Sequence, residues 1–174
     1  MIEIRGDLWS HIGKADVICI TTNGFVKSNG DAVMGRGCAR QAARRYPDML
    51  QLLGEANRNQ GWRYPTFLKE DSGTQIWSYP VKPDKIIGGA APSQVVEHMR
   101  DKLNLKKTIP GWAAIANPAL IWFSAARLRE HANKHNWKKI IIPRPGCGAG
   151  ELKWSDVRRN LHELLDDRFY SITF

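Results

Sequence analysis

Ile140-Ile141-Ile142-Pro143-Arg144-Pro145-Gly146-Cys147-Gly148-Ala149-Gly150-Glu151-Leu152 is the stretch from which the rest of the chain is read. Three successive isoleucines predict a strand buried on both faces, as at the centre of a parallel sheet. Pro143 and Pro145 end it, because proline has no N–H for a ladder. Gly146, Gly148 and Gly150 alternate, and then Val157, Leu161, Leu164 and Leu165 mark one face of a helix. A junction of strand, glycine loop and helix offers bare backbone N–H groups and a helix N-terminus to an anion. A phosphate or diphosphate suits it; a tight turn that needs glycine dihedrals is the plainer explanation. No Gly-Lys-Ser/Thr follows, which excludes a Walker A loop. A dinucleotide fingerprint follows the first strand of a longer two-half domain, and too little chain remains here for one.

A second such junction is predicted near the start. Val17-Ile18-Cys19-Ile20 reads as another buried strand, and Thr21-Thr22-Asn23-Gly24 as its polar C-terminal edge, where open α/β sheets place ligands. Asn23 could equally cap a turn. Met34-Gly35-Arg36-Gly37-Cys38-Ala39 then opens a helix whose inner face is Ala39, Ala42, Ala43 and Tyr46. Ile2–Ile4, Thr66–Lys69, Gln75–Tyr79 and Phe169–Phe174 read as further strands, and residues 48–59 as a second helix. Asn117-Pro118 is an N-cap with proline at the first helical position, starting a helix that runs to about His135. Between 84 and 116 the pattern weakens, leaving a helix from Ser93 to Leu103 as the one regular element expected.

Composition bounds the class. With 174 residues and 43% hydrophobic residues, one domain with a real core is expected. No apolar run approaches the ~20 residues of a membrane helix. Met1–Asp7 lacks signal-peptide anatomy, and three cysteines without metal-type spacing lead to an expected reduced, cytoplasmic setting. The net charge of +9 suits a polyanionic partner, but the Lys and Arg residues are spread along the chain. His131 and His135 have metal-compatible spacing on the predicted helix, with no acidic or cysteine partner, so no metal site is expected.

With both glycine loops and Asn23 in view, the chain resembles a macro domain, the ADP-ribose-binding α/β/α module, over nearly its full length. Gly6-Asp7-Leu8 looks like the family's Gly-Asp-Ile/Leu opening, and Asp16–Asn23 like its Asp-Ala-Ile-Val-Asn-Ala-Ala-Asn strand, with Ile20 in place of the first asparagine. Met34–Ala39 and Pro143–Trp154 resemble the Met-Gly-x-Gly-Ile-Ala and Pro-x-x-Gly-Cys-Gly-x-x-x-Leu-x-Trp loops of one subgroup. That subgroup holds terminal ADP-ribose glycohydrolases, antitoxin macro domains that strip ADP-ribose from DNA, and ADP-ribose 1″-phosphatases.

The resemblance implies a three-layer α/β/α sandwich with a mixed, mostly parallel sheet. It implies that Asp7 and Leu8 meet adenine and that Thr22 and Asn23 meet the distal ribose. Met34, Gly35, Arg36 and Gly37 on one side, and Pro145, Gly146, Cys147, Gly148, Ala149 and Gly150 on the other, would hold the diphosphate. Tyr79-Pro80-Val81-Lys82 is similar to a Phe-Pro-Thr-Lys segment whose lysine is catalytic, making Lys82 the expected nucleophile or electrostatic catalyst. Gly150 stands where the glycohydrolase branch has an acidic residue: either Glu151, one place later, supplies the carboxylate from a shifted loop, or the enzyme works without it as the antitoxin-like branch does. The expected catalytic set is Lys82, Asn23 and Glu151. The implied activity is release of ADP-ribose from a modified DNA or protein. A 1″-phosphatase and a non-catalytic ADP-ribose reader fit the same pocket, and a basic nucleic-acid-binding protein whose glycine loops only turn corners is the remaining rival. The expected partner is ADP-ribose or an ADP-ribosylated macromolecule, with nucleic acid left open by the charge. A monomer without cofactor, metal or membrane is expected.

Overall fold

Apolar runs and glycine junctions set the element order. The computed structural model describes all 174 residues. In chain order they form β1 (Ile2–Arg5), β2 (Val17–Asn23), α1 (Gly37–Arg45), α2 (Met49–Ala56), β3 (Phe67–Asp71), β4 (Thr74–Lys82), β5 (Lys85–Ile86), β6 (Ile109–Pro110), α3 (Pro118–Lys134), β7 (Ile140–Pro143), α4 (Trp154–Leu164) and β8 (Phe169–Thr173). The main sheet has the spatial order β1-β8-β7-β2-β4-β3. Every neighbouring pair is parallel except the β3–β4 hairpin at one edge.

Strand periodicity divides the core. Val17, Cys19, Ile140 and Ile142 join α3 and α4 in one cluster, whereas Ile18, Ile20 and Ile141 join α1 and α2 in the other. The isoleucines of β7 are therefore buried from both sides. Each contributes roughly 1.5–3 kcal/mol by leaving water, so the central strands anchor the expected three-layer α/β/α sandwich. Asp16 ties the starts of β2 and β7 together: its Oδ2 accepts the backbone N–H groups of Lys138 at 2.7 Å and Lys139 at 2.8 Å.

Asn117 caps α3 through Ala119 and Leu120 N–H, with Pro118 at the first position. The buried stripe of α3 runs through Leu120, Ile121, Ala125, Leu128 and Ala132. Phe123 lies outside that stripe and meets the ring of Tyr64 edge-on. Two hydrogen bonds lock α3 to β4, from Tyr79 OH to Ile121 O and from Ser124 Oγ to Pro80 O.

The helix expected from Ser93 to Leu103 does not form. Only short 3-10 turns occur, at Pro92–Gln94 and Glu97–Met99. Val95 and Val96 between them are β-branched and extended: Val95 bridges to Ala114 and packs with Ile109 and Ala113 in a small third core. Burial of these side chains outweighs whatever helix propensity the stretch has. Residues 84–116, with the β5–β6 ribbon, thus build a compact insert beside the end of β4.

Candidate functional site

Strands β2 and β7 are neighbours, but the chain continues from β2 toward β4 and from β7 toward β8. Such a reversal of direction opens a crevice at the strands' C-terminal ends. Both glycine loops leave from that point, one after β2 and one after β7. Between them lies a cleft of about 650 Å³, within the range of about 300–1,000 Å³ for small-molecule sites. Gly35, Arg36 and Gly37 form one wall and Gly146–Gly150 the other, with Thr22, Asn23 and Lys82 also lining it. The cleft continues outward into a mouth lined by Arg36, Arg40, His98, Gly148, Ala149 and Glu151.

The walls are mostly backbone. No side chain caps the start of α1, so its first-turn N–H groups stay available beside Arg36. In the second loop the glycines differ. A Cβ on Gly146, whose φ is +77°, would meet Ile121 and Ala116; one on Gly150 would meet the Gly146 carbonyl at 2.5 Å. A Cβ on Gly148 would meet nothing within 4 Å. Gly146 and Gly150 shape the loop, and Gly148 keeps the cleft open.

A register shift brings two distant candidates together. Thr22 pairs with Pro80, but Asn23 pairs with Lys82, skipping Val81. Lys82 is only 6% exposed. Its Nζ donates to Ala149 O at 2.7 Å and to Trp112 O at 3.2 Å, which leaves one of three ammonium protons without a protein partner. Burial lowers its pKa to about 8, with Glu151 opposing the shift and Arg36 adding to it. Asn23 is committed at both ends of its amide: Nδ2 donates to Val33 O at 2.8 Å and Oδ1 accepts Phe25 N–H at 3.0 Å. It braces the loop leading to Gly35. The Glu151 backbone has φ of +60°, and its Oε1 accepts the Glu97 N–H at 2.9 Å, joining the second glycine loop to the 84–116 insert.

At the other end the cleft is lined by Arg144, Trp154, Ile172, Thr173 and Phe174. Glu3 organises this end, accepting hydrogen bonds from Arg144 at 3.2 Å and Trp154 Nε1 at 3.0 Å and pairing with Arg158. Those partners, the Trp154 N–H foremost, hold its carboxyl below the usual range. The Arg144 guanidinium lies 4.9 Å from the Trp154 ring centre.

Four expected contact residues do not line the cleft. Leu8 and Met34 are buried in the core with α1 and α2, and Pro145 is buried with its carbonyl facing the Cys147 thiol. Asp7 is exposed and caps the following turn, its Oδ1 accepting Trp9 N–H at 3.1 Å. It stands next to Gly6, whose N–H binds Thr173 O at the cleft's edge. Cys147 lines the cleft, but burial pushes its thiol up to about 11. No group of three His, Cys, Asp or Glu residues is arranged to hold a metal ion. Sequence reading missed His98, Trp112, Arg40, Arg144 and Phe174. Arg144 and Phe174 were legible only as neighbours of strand ends; His98 and Trp112 lie in the insert, where no spacing pointed to the cleft.

No family model matches the chain, and no curated protein does. Solved structures match it over almost its whole length. The macrodomain of Mycobacterium tuberculosis DarG is 20% identical, with a TM-score of 0.68, covering 99% of this chain and 97% of that one. The macrodomain of Thermus aquaticus DarG gives 17%, 0.69, 99% and 97%. Thermosipho africanus DarTG, solved in complex with ADP-ribose, gives 17% and 0.68 over 98% of this chain, which spans 41% of that protein. Six strands in this order, helices on both faces and the crevice at the β2–β7 reversal are the macrodomain fold, and this chain has it.

Proposed function

We propose that the chain binds ADP-ribose in the cleft and hydrolyses the bond between C1″ and a modified macromolecule, DNA or protein. The observation that carries this reading is Lys82, a buried amine at the end of β4, held between two carbonyls with one donor to spare. Gripping diphosphate does not require a buried lysine that titrates at about 8. Backbone N–H groups already line both walls.

In this reading the diphosphate lies between Gly35–Gly37 and Gly146–Gly150. Adenine lies toward Phe174, where the free Oδ2 of Asp7 accepts its amino group. The distal ribose lies by Thr22, Asn23 and Lys82. At pH 7 a lysine of pKa about 8 is roughly nine-tenths charged, and its carbonyl partners accept from that form. Lys82 then acts as ammonium: it stabilises charge on the departing atom and gives it the free proton. The bond from C1″ to the macromolecule breaks, water adds to C1″, and ADP-ribose leaves. Asn23 holds the loop that shapes this end of the cleft.

Incubation with ADP-ribosylated DNA, ADP-ribosylated protein and ADP-ribose 1″-phosphate tests the reading. Release of free ADP-ribose from either polymer is expected. Tight ADP-ribose binding with no release from any of the three would leave a reader, and phosphate release alone would make the site a phosphatase.

A further inference from the structure

Water has to lose a proton when it attacks C1″, and neither Asn23 nor Lys82 can take it. The Asn23 amide is not a base at neutral pH and is held by Val33 and Phe25, and a protonated Lys82 has no lone pair to offer. One side chain in both the cleft and its mouth does have a free lone pair: His98, carried by the 84–116 insert. It makes no hydrogen bond to the protein and is exposed.

Its position is fixed from across the mouth. Glu151 adopts a left-handed backbone conformation, uncommon for a residue with a side chain. From there its carboxylate accepts the N–H of Glu97, the residue before His98. The bond therefore pins the Glu97–Met99 turn to the second glycine loop. The Val96 N–H on Ala113 O and the Arg100 side chain on Val95 O hold the same turn from below.

We propose that His98 is a catalytic residue, the proton acceptor for the water that attacks C1″, and that Glu151 is its positioning residue. The inference rests on the hydrolase reading. A ring nitrogen of His98 takes one proton of the water, and the water oxygen bonds to C1″. The C1″ bond to the macromolecule breaks, its electron pair going to the leaving atom, which receives the free proton of Lys82. His98 then sheds its proton to solvent and Lys82 regains one, so that one water is consumed per ADP-ribose released. Five charged groups face His98: Lys102 in the insert, Arg36 and Arg40 at α1, Lys82 on β4 and Glu151 in the glycine loop. Partial desolvation, then the cations led by Arg36, lowers its pKa from the ordinary histidine value and favours the neutral ring.

The test is the pH dependence of kcat for ADP-ribose release by wild type, His98→Gln, Glu151→Ala and Glu151→Gln, with ADP-ribose affinity measured alongside. Wild-type kcat should fall on an acidic limb that lies below the ordinary histidine range. His98→Gln should lose about 100-fold in kcat, the scale of a general base, together with that limb, while binding ADP-ribose within a few-fold of wild type. Glu151→Ala should lose about 10-fold or more, and Glu151→Gln, whose amide oxygen can accept the same Glu97 N–H, should recover most of it. An active His98→Gln with the acidic limb intact overturns the inference and leaves the hydrolase standing. Equal losses in Glu151→Gln and Glu151→Ala overturn the positioning role. A wild type that releases nothing removes the reading and this inference together.

Discussion

Lys82 should reveal itself in folding stability before any substrate is added. Its pKa falls from 10.5 to about 8 on folding, so the folded chain binds that proton more weakly than the unfolded one. At about 1.36 kcal/mol per unit, the cost of carrying the charged amine is roughly 3 kcal/mol. The sign follows from the direction of the shift: below pH 8 the cost is present in full, and it fades as pH rises from about 8 toward 10.5. Between pH 7 and about 9.5 the wild type should therefore gain about 2 kcal/mol relative to Lys82→Met, which has no proton to lose. All other titrating groups are common to the two proteins and cancel in the difference. At any single pH the comparison is less informative, because Met leaves the Ala149 and Trp112 carbonyls without their donor, at about 1–3 kcal/mol. Urea unfolding of both proteins at the two pH values, with matching m-values, supplies the measurement. Parallel pH dependences would mean that Lys82 is solvated like any surface lysine, and the argument from its burial would fall.

Two further outcomes concern binding. Gly148→Glu should keep the fold, since a side chain there meets open space. It should lose ADP-ribose binding by at least ~100-fold, because a carboxylate would stand against the diphosphate in a partly dry cleft; a calorimetric titration like that of the wild type would place the phosphates elsewhere. Asp7→Ala should cost about 1 kcal/mol through the lost cap on Trp9, and should also narrow the preference for ADP-ribose over GDP-ribose. An unchanged preference would leave Asp7 with the turn alone.

The chain declares its frame more openly than its cleft. The isoleucine run of β7 and the Val17–Ile20 run of β2 are legible because a strand buried on both faces has few ways to be written. The glycine junctions after them are legible because backbone cradles need residues without side chains. Lys82 could be singled out only through resemblance; its burial depends on Ala149 and Trp112, 67 and 30 residues away along the chain. Residues 84–116 stayed unread for a related reason. Their small core of Val95, Ile109 and Ala113 closes across the β5–β6 ribbon, so no local period marks it, and a helix was expected where turns formed. Asn23 was expected at the ribose through the resemblance; its local bonds to Val33 and Phe25, which make it a brace, are the turn alternative that its sequence neighbourhood left open.

Whether Lys82 performs chemistry in the cleft is read from single-turnover release of ADP-ribose by wild type and Lys82→Ala. ADP-ribose affinity should stay within a few-fold between the two proteins, with a rate at least ~100-fold lower in the variant, the signature of an interaction made in the transition state. Equal rates, or a rate and an affinity that fall together and recover together with salt, would contradict it.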